Sequence, residues 1–125
     1  MSGSLQDLSN LLEQLQSVHA LQLAAIVGLD GLVVDSASDG KLDAEMVSAV
    51  AAPGLLTMSD LANELGEGMA QLTTLEYEHH VAVMMPLNED TLLIAVAESG
   101  AMNLGQLRIV LRRSMDDLRA ALEAI

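Results

Sequence analysis

The chain has 125 residues, half of them apolar, and it contains no Cys, no Trp, no Phe and one Tyr; this argues against disorder and excludes disulfide frameworks and thiolate metal sites. Its net charge is −13, and Lys41 is the one basic residue in positions 1–100, so the basic face that nucleic acid requires is missing. No segment has the roughly 18 apolar residues of a membrane span and residues 1–10 do not resemble a signal peptide, so we expect one soluble cytoplasmic domain over residues 1–125, with no membrane insertion.

The first predicted element is a helix near the start of the chain. Ser4 is a candidate N-cap, and leucines recur at helical spacing from Leu5 to Leu15. One side of this segment is therefore apolar, as in a helix that packs on a core. We expect the helix to end near Ser17 or Val18.

A hairpin is predicted next. Two apolar runs, Ala20–Val27 and Val33–Val34, flank the pair Asp30-Gly31. Asp-Gly suits a type I′ turn, because both central residues of that turn need positive φ. The segment therefore predicts the first two strands, followed by a turn over Ser36–Gly40.

A second helix is predicted over Leu42–Leu65, where apolar residues recur at helical spacing and Gly66 and Gly68 end the segment. Pro53-Gly54 lies in its middle. Because Pro lacks the backbone N–H and clashes with the preceding turn, we expect a kink or two short helices there.

Three strand candidates follow, Met69–Tyr77, His80–Pro86 and Thr91–Ala97. They are rich in Val, Leu, Ile and Thr, and short polar turns separate them, which predicts an antiparallel meander. The third is apolar on both faces and is expected at the centre of the sheet. The first carries Gln71, Thr73, Thr74 and Glu76, and it is expected to be an edge strand or a half-exposed one.

The last predicted helix begins at Asn103, which forms a pattern like a capping box with Gln106. On its polar side, Arg112, Arg113 and Arg119 each have an acidic residue four positions on, which predicts three intrahelical ion pairs. The whole order, α-β-β-α-β-β-β-α, predicts an α/β sandwich in which helices cover at least one face of a five-stranded antiparallel sheet.

Residues with catalytic or metal-binding chemistry are few. His79-His80 stands beside Glu76 and Glu78, but adjacent strand residues point to opposite faces, so an exposed turn is favoured over a metal site. The glycine spacings lack a phosphate-loop pattern. We therefore expect no metal, no cofactor and no enzyme activity.

Two further pairs have competing interpretations. Asp30 and Asp35 could be read as a pair of catalytic carboxylates. The predicted turn already explains Asp30, however, and no His or Ser lies near them in a catalytic pattern. Arg108 or Arg112 could act as an arginine finger, a residue that completes the active site of a GTPase in trans. The matching acidic residues favour an ordinary solvated helix face instead.

Three stretches resemble the roadblock (robl/LC7) family, which includes dynein light chains and bacterial gliding-motility GTPase regulators. They are Ile26–Ser36 with its Asp-Gly turn, Thr91–Val96, and Asn103–Arg108, which is similar to the Asn-Leu-Gly-x-x-Arg opening of the family's last helix. The likeness covers nearly the whole chain.

This resemblance implies a profilin-like sheet of strand order 2-1-5-4-3 and a homodimer formed through the third strand and the second helix. It also implies a non-enzymatic module that binds and regulates a Ras-like small GTPase. The alternative is a passive adaptor or scaffold subunit in a motor or polarity complex, whose binding does not depend on nucleotide. A homodimer would also provide hydrogen-bond partners for the unpaired N–H and C=O groups of the half-polar edge strand, because that strand would pair with its own copy.

Site residues are predicted on the same two elements. The residues predicted to bind the partner are Met46, Leu55, Leu56, Met58, Asp60 and Glu64. The residues predicted at the dimer interface are Val50, Leu61, Gln71, Thr73 and Leu75. For each apolar one, packing in the core or in the dimer competes with partner binding.

Overall fold

Three helices and five strands follow one another in the predicted order within residues 5–125, the part of the chain that a computed structural model describes; at Leu56 it describes the backbone alone. The elements are α1 Leu5–Val18, β1 Leu23–Gly28, β2 Val33–Ser38, α2 Ala44–Leu65, β3 Thr73–Glu76, β4 His80–Pro86, β5 Thr91–Glu98 and α3 Leu104–Glu123. The first helix ends at Val18 as predicted, whereas the Ser4 cap lies outside the described residues.

The strands form one antiparallel sheet of order β2-β1-β5-β4-β3, which confirms the order that the resemblance implied. β5 lies at the centre and is buried on both faces, as predicted. β3 lies at an edge, also as predicted, but it is shorter than Met69–Tyr77. The register that pairs Thr73 with Met84 would bring Gln71 opposite Pro86, and Pro86 has no N–H to donate there.

Helices cover both faces of this sheet and make two separate apolar cores. On one face, Leu8 and Leu12 of α1 and Leu107 and Leu111 of α3 pack with Ile26 of β1. On the other face, α2 packs on alternate residues of the same strands. The molecule is therefore a three-layer α/β sandwich whose core is aliphatic.

The turn between β1 and β2 differs from the predicted type I′ turn. The Gly31 N–H donates to the Gly28 carbonyl at 2.9 Å, and only Gly31 has positive φ, at 88°. The Asp30 carboxylate accepts from the Leu32 N–H at 3.0 Å. Asp30 has an ordinary φ, and its side chain provides the hydrogen-bond acceptor for the Leu32 N–H. The loop therefore holds three residues instead of the two of a type I′ turn.

β2 extends to Ser38, so the turn predicted over Ser36–Gly40 begins later. Ser36 and Ser38 pair with Ala25 and Leu23 of β1. β2 is an edge strand, where polar side chains are tolerated, and serine alone therefore did not mark a turn.

α2 is one continuous helix, so the division into two short helices was wrong. The Asp43 carboxylate caps its start by accepting from the N–H groups of Glu45 and Met46. Pro53 lies inside the helix and has no backbone N–H, so the Ala49 carbonyl lacks its usual helical hydrogen bond. Both residues are exposed, so water can replace the missing donor.

The ion pairs predicted along α3 were also wrong. Asp116 lies 3.5 Å from Arg119, three residues on, and not beside Arg112. The Arg119 Nε donates to the Leu87 carbonyl at 2.6 Å, so this guanidinium ties α3 to the end of β4. The ion-pair partner of Asp116 is therefore determined by tertiary contacts of Arg119, which sequence spacing does not reveal.

Asn103 is the N-cap of α3, as predicted, and its side-chain oxygen accepts from the N–H groups of Gly105 and Gln106. We expect Asn103→Ala to lower the free energy of unfolding by about 1 kcal/mol, because two N–H groups lose their acceptor. Urea denaturation measures this loss. Asn103→Ser should keep most of the stability, and equal losses in both variants would contradict the capping role.

Candidate functional site

The second half of α2 extends beyond the sheet. In the first half, Ser48, Ala52 and Leu55 are buried, where the helix packs on β1 and β2. Farther along the same side of the helix, Ser59 and Asn63 are exposed. No described layer of this chain therefore covers the helix after about Met58.

The opposite side of α2 carries an apolar stripe that is open to solvent. We call it the open stripe, and its residues are Met46, Val50, Met58, Leu61 and Leu65. Their spacing places them on one side of the helix, and Val50 is 74% exposed. Several large apolar side chains exposed on one side of a helix are typical of an interaction site.

A groove of about 460 Å³ lies between the second half of α2 and β3. Met58, Leu61 and Leu65 line one wall, and Met69 and Thr73 line the other. The open stripe thus continues into an apolar groove that ends at the edge of the sheet.

β3 completes this surface. Leu75 pairs with Ala82 of β4, which places its exposed side chain on the α2 side of the sheet. Within residues 5–125, β3 has a neighbouring strand on one side only, so its outer backbone groups are open for pairing. The open stripe, the groove and β3 form what we call the α2–β3 surface.

The structure brings most of the predicted site residues to this surface. Those on the exposed side of α2 or at the groove and β3 are Met46, Val50, Met58, Asp60, Leu61, Glu64, Gln71, Thr73 and Leu75. Leu55 is buried beneath α2 and does not reach the surface, which corrects its assignment as an anchor. The side chain of Leu56 lies outside the description.

The groove also contains residues that were not predicted as site residues, among them the exposed Leu65 and Met69. Leu65 follows Leu61 by one helical turn, so periodicity offered a signal for it. Met69 had been assigned to a strand, and nothing local indicates that it faces the groove.

The carboxylates considered for catalysis have structural roles. Asp30 is bonded within its turn. The Asp35 carboxylate accepts from the Ser9 hydroxyl of α1 and from the Ser36 N–H, so it joins α1 to β2. These bonds hold the two carboxylates in separate local structures.

His79 is exposed and lies 3.7 Å from the Glu78 carboxylate. Among residues 5–125, no three His, Asp or Glu side chains come together in an arrangement that would hold a metal ion. The helices in that part of the chain are too short or too polar to cross a membrane.

Sequence comparison relates most of this chain to known proteins. The family model of the Roadblock/LC7 domain matches residues 8–97. The chain is 31% identical over 113 residues to MJ0310 of Methanocaldococcus jannaschii, covering 90% of this chain and 97% of that protein.

Solved structures share the fold at lower identity. MglB of Myxococcus xanthus has a TM-score of 0.85 at 18% identity, covering 94% of this chain and 96% of MglB. A structure described as MglB with tetrameric arrangement has a TM-score of 0.85 at 19% identity, covering 96% and 91%. Acanthamoeba castellanii profilin IA has a TM-score of 0.60 at 18% identity, covering 90% and 96%.

Proposed function

This chain belongs to the Roadblock/LC7 domain family, and from that membership we propose that it is a non-enzymatic homodimeric module that binds and regulates a Ras-like small GTPase in the cytoplasm. The observation that carries the proposal is the α2–β3 surface. Its apolar side chains are exposed in the described chain, and exposed apolar surface of this kind supports a role in binding a partner.

A second copy of the chain fits this surface. An edge strand pairs readily with its own copy about a two-fold axis, which would continue the sheet from one β3 to the other. The same axis would bring the two α2 helices together, so that Val50 and Leu61 are covered. The name of one structural neighbour records a tetrameric arrangement of MglB, which supports self-association on this fold.

The GTPase would dock on the parts of the paired α2 helices that remain exposed. Met46 and Met58 offer adaptable apolar contacts, since the unbranched thioether side chain fits irregular surfaces. Asp60 and Glu64 stand four residues apart along one border of the open stripe. They would pair with basic residues of the partner and set its orientation.

In this arrangement the GTPase supplies the nucleotide and the active site. This chain would act by binding one conformation of the partner's switch segments more tightly than the other, which shifts the population between them. A surface without that preference would make the chain a passive adaptor.

The proposal is tested by immobilising the chain and passing over it an extract of the source organism loaded with either a GTP analogue or GDP. We expect a small GTPase to be retained mainly in the GTP state. Asp60→Lys with Glu64→Lys should reduce its retention about tenfold or more, because two attractive contacts become repulsive.

The matched control is Glu13→Lys with Asp117→Lys, which makes the same charge change on α1 and α3 at the opposite face of the sheet. It should retain the GTPase as the unchanged chain does. If the variant with Asp60→Lys and Glu64→Lys retained the GTPase and the control variant lost it, α2 would be excluded as the docking site. Equal retention in both nucleotide states would make the chain an adaptor.

A further inference from the structure

The positive charge of this acidic chain is concentrated on one helix. All four arginines, Arg108, Arg112, Arg113 and Arg119, lie on α3, and Lys41 is the one other basic side chain apart from the histidines. Residues 1–100 contain fifteen acidic residues. The arginines of α3 are therefore a local exception to the charge of the whole molecule.

Three of these arginines have no partner among the residues that the structure describes. Arg108, Arg112 and Arg113 share the outer side of α3 with Ile109, which is 51% exposed, and with the exposed Asp116. Within residues 5–125 none of the three guanidinium groups makes an ion pair or a hydrogen bond, in contrast to Arg119. The ion pairs that would have made this an ordinary solvated face are absent from the described structure.

A cleft adjoins these arginines. It lies between α1 and α3, has a volume of about 280 Å³, and is lined by Arg113 together with Leu15, Val18 and His19. Asp117 lies in the same cleft. Cationic groups thus stand beside an opening that can receive an apolar side chain.

We propose that Arg108, Ile109, Arg112 and Arg113, with the adjoining cleft, dock a short acidic peptide segment of a partner protein. Guanidinium groups bind carboxylates through two parallel N–H bonds, which gives orientation as well as attraction. Three such groups within two helical turns match several acidic side chains on one segment. An apolar residue of that segment would contact Ile109 or enter the cleft.

The charge of the whole molecule argues for a short segment over an extended anionic surface. Basic sites for anionic membranes use clusters of roughly four to eight Lys and Arg. A membrane or a nucleic acid would also approach the acidic body, with its net charge of −13. Screening over about 8 Å at physiological salt lets a short peptide contact the arginines without that repulsion.

This docking surface is separate from the α2–β3 surface. α3 packs on the face of the sheet opposite to α2, so both surfaces can be occupied at once. Binding at α3 therefore does not depend on the proposed docking of a GTPase at α2. The chain would join a partner with an acidic tail to whatever binds α2.

The test uses a fluorescent peptide that carries several Glu around one Leu, and the same peptide with Gln in place of each Glu. Fluorescence anisotropy with the full chain should show binding of the Glu peptide alone, weaker at about 300 mM salt than at about 50 mM. Arg108→Gln, Arg112→Gln and Arg113→Gln together should weaken binding at least about tenfold, since three charge-assisted contacts are lost.

The control is Lys41→Glu with Gln6→Glu, which changes the net charge by the same −3 away from α3 and should bind the peptide nearly as well. Both variants replace exposed side chains, and their unfolding curves verify that they are folded. Equal binding of the Gln peptide would overturn the proposal, as would unchanged binding by the triple variant. Retention of anionic vesicles with no binding of the Glu peptide would assign the surface to membranes instead.

Discussion

Leu61→Glu is expected to convert the proposed dimer into monomers at micromolar concentration. Leu61 is 55% exposed in the single chain and lies at the junction of the open stripe and the groove. A carboxylate placed there loses its water when two copies meet, and the facing apolar side chains offer it no hydrogen bond. Light scattering should give about 26 kDa, twice the 13.2 kDa of the chain, for the unchanged protein and the monomer mass for the variant.

The matched control is Leu5→Glu, which introduces the same change at a leucine of α1 that is also 55% exposed. This variant should remain a dimer, because α1 packs on the face of the sheet opposite to α2. Dissociation of both variants would point to a general effect of added charge. A dimeric Leu61→Glu protein would exclude the groove from the interface.

Gly31→Val is expected to cause the largest loss of stability, about 3 kcal/mol or more. Gly31 has φ of 88°, where an L-residue with a Cβ costs about 1–2 kcal/mol. A Cβ at this position would also lie 3.4 Å from the Ala49 Cα, already in contact with α2, so the larger Val side chain is expected to crowd the helix. Overpacking of this kind typically adds about 1–3 kcal/mol.

Gly100→Val separates the two contributions. Gly100 has φ of 85°, but a Cβ there would meet nothing within 4 Å. We therefore expect a loss of about 1–2 kcal/mol, from the backbone alone. Urea denaturation at one protein concentration compares the variants, and equal losses would show that the turn does not pack closely on α2.

The order of elements was predictable because each one has its own periodicity and its own end signals. β5 could be placed at the centre because both of its faces are apolar. Asn103 could be identified as a cap from residue type and position. The sheet order came from the family resemblance, because local patterns do not determine which strands become neighbours.

The errors arose where a distant group decides the outcome. The extent of β3 is limited by Pro86, which lies on a different strand. Asp116 pairs with Arg119, which is itself fixed by the Leu87 carbonyl. In each case the deciding contact is formed only after the chain has folded.

The candidate surface was predictable in location but not in every residue. α2 carries apolar residues on two sides, and helical spacing does not reveal which side meets the sheet. Leu55 and Val50 are therefore equivalent in the sequence, yet one is buried and the other is exposed. The groove was beyond prediction, because α2 and β3 are brought together only by the sheet between them.

The most direct test of the proposed function is the affinity of this chain for each purified small GTPase of the source organism, measured by calorimetry in two nucleotide states. We expect one GTPase to bind at least about tenfold more tightly with a GTP analogue than with GDP, a difference of about 1.4 kcal/mol. Leu61→Glu should abolish this binding if the paired α2 helices form the docking site. Equal affinity in the two states, or no binding to any of these GTPases, would contradict the regulatory function.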